Sequence, residues 1–225
     1  MKLYSSELAP SPLKVLIFIA EKGIKDVEIV NLDLGKLEHK SPEYKAIAPN
    51  SKVPALKLDD DTIILETTAI CRYLESLYPE PNLFGQSALI RAEVRRLVYW
   101  FDNKFNDEVT QYLVGEKIMK RFLGMGEPDS KCVRAGHANI HHHLEYITYL
   151  ADRRRWLGGN NLSFADIAAA AHLSTIDYLG DVPWDKHPGA KNWYARIKSR
   201  PSFQPLLKDH IPGATPAKFY SDLDF

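Results

Sequence analysis

The apolar positions of the first eighty residues change period several times. Lys2-Leu3-Tyr4 reads as a short strand. Pro10 and Pro12 then interrupt the chain, and Pro12 suits the first turn of a helix. Leu13, Val15, Leu16, Ile17, Ile19 and Ala20 give an almost all-round apolar helix that Gly23 ends. Val27 to Leu32 alternates around Glu28 and Asn31 and reads as a second strand, completing a βαβ unit. Pro42 to Ala48 is a short helix. Val53 to Leu58 and Thr62 to Leu65 flank Asp59-Asp60-Asp61 and predict a tight hairpin. Thr67 to Tyr78 is an amphipathic helix with Ile70, Tyr73, Leu74 and Leu77 on one face. The predicted order is βαβ, then ββα.

Tyr78-Pro79-Glu80-Pro81-Asn82-Leu83-Phe84-Gly85 reads as a linker. Beyond it the chain is helical in pattern. One long helix is expected from Ala88 to about Val114 and a second from about Asp129 to Arg155, with a Gly/Pro-interrupted patch (Gly124 to Pro128) between them. Gly158-Gly159-Asn160-Asn161 is a sharp turn. Ser163-x-x-Asp166 then opens a third helix as a capping box. Two more helices are expected, about Pro188 to Ser199 and Pro201 to Asp209. Ile211 to Phe225 reads as an extended tail. The layout is a small α/β domain, residues 1–80, and an all-helical domain, residues 88–225, with a ligand cleft expected at their junction.

The chain has 225 residues with 29 Lys+Arg against 29 Asp+Glu, so no overall cationic field favours nucleic acid or a membrane surface. Any charged ligand must be held by a local site. Cys71 and Cys132 form no CxxC and no disulfide framework, which points to reduced thiols and a cytoplasmic location. The start of the chain lacks the uninterrupted apolar run of a signal peptide.

Three features converge on an anionic, peptide-like ligand. In Ser51-Lys52-Val53-Pro54-Ala55 a proline opens a strand. A trans bond there is an ordinary strand start, whereas a cis bond leaves the Val53 N–H and C=O unpaired and able to take a short peptide as an added strand. Glu66-Thr67 begins a helix, so exposed N–H groups and the Thr67 hydroxyl suit a carboxylate while Glu66 suits an ammonium. The alternative is that either residue merely caps the helix. The loop Ser5 to Ser11 places hydroxyls near a positive helix end, where a bound thiolate would be stabilised; these serines also suit turn and cap roles.

These motifs, in this order, resemble those of the bacterial soluble glutathione transferases. The resemblance lies in Lys2-Leu3-Tyr4, Lys14-Val15 and Glu21-Lys22-Gly23, in Asn50 to Leu56, in Leu65 to Leu74, in Tyr78-Pro79 and in Ser163 to Ala168. It implies a thioredoxin-like α/β N-terminal domain, an all-α C-terminal helical bundle, a homodimer, and glutathione between the domains as co-substrate. On that resemblance Val53 pairs with the cysteinyl backbone and Pro54 is the cis proline. Glu66 and Thr67 hold the γ-glutamyl end, and Lys52, His39 and Lys40 are candidates for the glycyl carboxylate. Aligning Lys14 on the family's basic residue puts Ala9, Pro10 and Ser11 on the activating stretch. Ser11 is then the candidate thiolate-stabilising residue, with Ser6 behind it, and Tyr4 is core. The implied reaction is attack of glutathione thiolate on a hydrophobic electrophile.

The second half, through Arg153-Arg154-Arg155-Trp156-Leu157, Ala168 to Leu173, Asp177 to Trp184, Lys198 to Phe203 and Tyr220 to Phe225, resembles a subgroup of alphaproteobacterial transferase homologues. That subgroup includes cell-division regulators, which implies the tubulin-like division protein as an alternative partner, with the Asp222–Phe225 tail as contact surface. A glutathione-dependent isomerase or reductase is a third reading. His137, His141, His142 and His143 lack an HExxH pattern, and no metal is expected. Arg153 to Arg155 read as a helix-end charge run, and Trp100, Phe101 and Phe105 as core or the wall of an apolar cleft.

Overall fold

The structure, a computed structural model, describes every residue except 7–8, 209–210, 212–213 and 224–225, and every described side chain except that of Phe122. It falls into two compact units, Met1–Asn82 and Leu83–Phe225.

The first unit runs β1 (Lys2–Ser5), α1 (Pro10–Lys22), β2 (Glu28–Asn31), α2 (Pro42–Ile47), β3 (Ala55–Lys57), β4 (Ile63–Leu65) and α3 (Thr67–Leu77). The strands form one mixed sheet in the order β2-β1-β3-β4. β1 and β2 are parallel because α1 crosses between them, and β3 and β4 are an antiparallel hairpin. This is the thioredoxin-like arrangement. Side chains alternate along β1, so Leu3 and Ser5 are buried on one face while Tyr4 turns to the other. There Tyr4 meets Tyr44 edge-on, with ring centroids 5.6 Å apart. The hairpin loop is the three aspartates, closed by Leu58 N–H to Thr62 C=O at 2.9 Å, with Asp61 in the left-handed region at φ 66°. α1 ends at Gly23, also left-handed at φ 65°, and Ile24 N–H returns to Ile19 C=O at 3.1 Å. Lys22, at that end, pairs with Glu75 and donates to the carbonyls of Tyr78 (2.7 Å) and Pro81 (2.6 Å). One buried ammonium thereby ties α1, α3 and the start of the linker.

The second unit contains α4 (Ala88–Tyr99), α5 (Lys120–Phe122), α6 (Ser130–Ala151), α7 (Phe164–Tyr178) and α8 (Pro188–Lys198). Between α4 and α5 the expected α-helix is instead wound as a π-helix over Trp100–Met119. The burial pattern accounts for the wider winding. Phe101, Phe105, Val109, Leu113 and Ile118 are buried at intervals of four to five residues, longer than the 3.6-residue α period. Phe101 and Phe105 are fully buried core residues. Trp100 Nε1 donates to His143 Nδ1 at 3.1 Å, which puts the imidazole proton on Nε2, 3.0 Å from Glu108 Oε2. Burial pulls the His143 pKa down to about 4, against the opposing pull of Glu108.

The predicted capping box forms at the start of α7. Its Asp166 is fully buried and accepts four hydrogen bonds. They come from Leu157 N–H (2.7 Å), Ser163 N–H (3.0 Å), the Ser163 hydroxyl (2.7 Å) and Trp193 Nε1 (2.9 Å).

Two expectations about the C-terminus are corrected. Pro201 to Asp209 is a series of turns and one 3₁₀ turn, Leu206–Lys208, with Asp209 outside the described residues. Pro205 removes a helix donor and disfavours the α conformation at Gln204. The tail is packed back onto α7 over its described residues. Ala217 N–H reaches Tyr178 C=O at 2.8 Å, Tyr178 Oη donates to Ala214 C=O at 2.8 Å, and the Tyr220 hydroxyl lies 2.9 Å from that of Ser174.

Asp166→Ala strands four buried donors and is expected to cost on the order of 3–5 kcal/mol, with Asp166→Asn milder because one oxygen still accepts; urea unfolding measures both. The folded pKa of His143 lies below the unfolded value, so its contribution is intact above pH 6.5 and is lost as pH falls towards 4. The loss amounts to about 3 kcal/mol, and a His143→Gln variant should lack that part of the pH dependence of Tm.

Candidate functional site

The register of the sheet gathers most of the candidate residues of the first unit at one end. Tyr4 lies opposite Ala55, and Ala55 opposite Leu65. One step further along each strand come Ser5 and Ser6, then Pro54 and Val53, then Glu66 and Thr67. This is the carboxyl end of β1, where open α/β sheets place their ligands.

The Val53–Pro54 peptide is cis. Val53 lies outside the β3 ladder, and among the described residues its N–H and C=O take no hydrogen-bond partner. A peptide backbone can therefore pair with it in the manner of an added strand. The edge is held from below by α2. Tyr44, buried in a cluster with Ala48 and Ala55, sends its hydroxyl to the Lys52 carbonyl at 2.7 Å. Burial, ahead of the nearby Tyr4, pushes the Tyr44 pKa up to about 12, so it remains a donor at physiological pH. The Lys52 side chain is exposed.

Glu66 precedes α3 at φ 71° and ψ 129°, a conformation that costs a residue with a Cβ on the order of 1–3 kcal/mol. Its exposed carboxylate makes no cap bond to α3, so among the described residues the first amides of the helix have no side-chain partner. Thr67 is buried and its hydroxyl donates to the Ser11 carbonyl at 3.3 Å, joining the starts of α3 and α1. The hydroxyl is thereby directed at the protein backbone, while the amides stay directed outward.

α1 begins Pro10-Ser11-Pro12 after an Ala9 N-cap that makes no side-chain bond. Two of its first three residues have no N–H, so the turn offers one amide, that of Ser11. Ser11 is half-buried and its hydroxyl has no partner among the described residues. Ser6 is buried, at 1% exposure. Glu7 and Leu8 of the same loop lie outside the described residues. Ser5 was not singled out by sequence. It is fully buried and its Oγ has no partner among the described residues; the alternation of β1 was the signal that put it inside.

His39 and Lys40 sit apart from this group on the 3₁₀ turn Glu38–Lys40. No hydrogen bond or ion pair among the described residues joins them to Ser11, Val53 or Glu66. Burial and then Lys40 lower the His39 pKa, so at neutral pH it carries no charge for an anion, and Lys40 is the cation of the pair. Among the described residues no group of three or more His, Cys, Asp or Glu side chains is arranged to hold a metal. No helix among them is long and apolar enough to cross a membrane.

The end of the sheet thus presents a free backbone edge, a helix start with open amides and a carboxylate beside it. Those groups match the main chain, carboxylate and ammonium of a small peptide. Among the described residues, the groups near the start of α1 that could stabilise a thiolate are the Ser11 amide and the hydroxyls of Ser11 and Ser6.

Residues 10–77 match the family model of the glutathione S-transferase N-terminal domain, and residues 130–196 that of the C-terminal domain. "FtsZ-localized protein A" of Caulobacter vibrioides is 43% identical over 99% of this chain and 97% of its own. Glutathione S-transferase 2 of Saccharomyces cerevisiae is 28% identical over 92% and 90%. The solved structure of a glutathione S-transferase from Rhodospirillum rubrum F11 superposes with a TM-score of 0.94 at 52% identity, over 100% of this chain and 99% of its own.

Proposed function

The chain belongs to the glutathione S-transferase family, and from that premise we propose that it acts as a partner-binding member that engages filaments of FtsZ, the tubulin-like division protein. The match to FtsZ-localized protein A carries this reading. It leaves about 1% of 225 residues, some two positions, outside, so it runs into the C-terminal tail. The site chemistry agrees. Ala9, Pro10 and Pro12 give the start of α1 no side-chain donor, and the two prolines give no amide, which leaves a bound thiol with little to lower its pKa.

The tail is the contact surface in this reading. Its root is fixed by Tyr220 and by Lys198, which pairs with Asp177 at 3.3 Å and reaches the Phe219 carbonyl at 3.5 Å. Asp222 and Leu223 come next, and the last two residues lie outside the described ones. The purified protein is expected to co-sediment with FtsZ filaments, and deletion of Asp222 to Phe225 to abolish this while circular dichroism shows the fold intact. A protein that stays in the supernatant at every ratio would refute the reading.

Glutathione binding is the second reading, favoured by the unpaired Val53 edge beside the open start of α3. Glutathione would lie along Val53 with its γ-glutamyl carboxylate on the α3 amides and its ammonium at Glu66. Calorimetric titration is expected to show binding that Glu66→Ala weakens about tenfold, or ~1.4 kcal/mol. Turnover of a chloronitrobenzene should be absent or slight. A flat titration removes this reading, and brisk turnover that falls in Ser11→Ala would place conjugation first.

A further inference from the structure

The three consecutive histidines of α6 do different things once the helix is wound. Successive positions point about 100° apart. His143 therefore turns inward to Trp100 and Glu108, His142 is exposed, and His141 meets the segment that leads into α8. His141 Nδ1 lies 2.8 Å from Nε2 of His187, the residue that precedes α8. The ring centroids are 5.1 Å apart and the planes are tilted by 47°, so the rings meet end to end and are not stacked. His141 is half-buried and His187 is buried. Neither ring takes part in the candidate site of the sheet.

Two imidazole nitrogens facing each other at this distance share a hydrogen. In the neutral pair one ring donates and the other accepts, and either assignment of tautomers satisfies the contact. One added proton leaves an imidazolium donating to an imidazole, a charge-assisted bond. A second added proton makes both facing nitrogens donors, N–H against N–H, with two cations side by side, and the bond is lost. A metal ion is not the shared group, because two nitrogens coordinating end to end need about 4 Å between them. Burial first, and then the charge on His141, holds the His187 pKa below its ordinary 6.5. Glu145, one turn along α6 from His141, acts against them, and Lys186 acts with them. Asp185 and Lys191 are the other charged groups of the segment.

What the pair holds is short and bounded. On one side Trp184 is clamped by Asp177, 2.8 Å from its Nε1, and on the other Trp193 is clamped by Asp166. Between the two indoles the chain is tied to α6 by His187 and by the Ala190 N–H, which donates to Thr148 Oγ1 at 3.1 Å. Pro188 has no N–H to add. At Gly189 the backbone runs so close to α6 that a Cβ would lie 2.5 Å from Thr148 Cγ2.

We infer that the His141–His187 pair is a proton-operated joint: when acid delivers the second proton, residues 185–190 come away from α6 while the two indole clamps keep the rest of the helical unit folded. The folded state favours the neutral form of His187, so the joint is closed above the ordinary histidine range and opens as pH falls through the lower, folded value. The opening is local, and it breaks the two polar ties between the clamps and leaves the ladder of α6 intact. The inference is independent of the tail, of any filament partner and of the Val53 edge.

Hydrogen exchange of the full-length protein, read by mass spectrometry and corrected for the intrinsic rate, tests this at about pH 7.5 and about pH 5. Protection of the peptide spanning residues 185–190 is expected to fall at least about tenfold at the lower pH, with α7 unchanged. His141→Gln should abolish the fall, because a side-chain amide partners either form of His187 and carries no charge. His187→Gln should do the same, and it serves if the first variant does not fold. His143→Gln should keep the fall, because that ring titrates at about 4 and faces the π-helix. Unchanged protection at the lower pH overturns the inference, as does an equal fall in a folded glutamine variant of the pair. A fall shared equally by α7, or one lost in His143→Gln, overturns it too.

Discussion

The helical unit depends on a single buried carboxylate. Asp166 receives two main-chain amides, one hydroxyl and one indole N–H. Burial drives its pKa upward, and all four donors act in the opposite direction. The four bonds fix different things. Ser163 sets where α7 begins, Leu157 sets the path of the preceding loop, and Trp193 docks α8. The wall of α7, whose described residues are all buried, is correctly placed only because its first turn is.

The first unit solves a different problem. Its sheet has only four short strands, and the candidate site is made of what the ladder leaves over. Pro54 cannot donate to the sheet, Val53 falls just outside it, and Glu66 occupies a backbone region unfavourable for its side chain. Such local departures from good pairing are stabilised by neighbours. Tyr44 supports the Lys52 carbonyl, Thr67 ties the start of α3 to α1, and Lys22 closes the far end. The end of the sheet therefore leaves the Val53 backbone edge open, while the start of α1, with two prolines in three residues, offers one amide among the described residues.

Much of this was legible in the sequence because it is local. The capping box, the aspartate hairpin, Gly23 at the end of α1 and the helix from Thr67 each rest on residues within a few positions of one another. What escaped was tertiary. Lys22 and Glu75 are 53 positions apart, and nothing in either neighbourhood announces the pair. The run from Pro201 looked helical because its apolar spacing was right, but Pro205 overrode it. The tail looked structureless because it lacks a period of its own; its order comes from Tyr178 and Ser174, more than thirty residues upstream. Arg196 and Arg200 reach Trp156 only because α8 folds across the end of α6. The wider winding after Tyr99 was in fact written in the burial repeat, which is easily read as an ordinary helix with scatter.

The way the C-terminus is folded governs how it can be dissected. Tyr220 closes a buried hydroxyl pair, and Phe219 lends its carbonyl to an ammonium that Asp177 and two aromatic rings also share. A truncation that reaches back past these residues would uncover a desolvated cation in the interior and unfold the region it was meant to leave untouched. An affinity handle appended after Phe225, by contrast, would extend a segment already moored to the core, and it would project from the place proposed to meet the filament. Trimming back past Phe219 and Tyr220 therefore reports on folding, whereas a cut that spares them, or a tag, reports on contact.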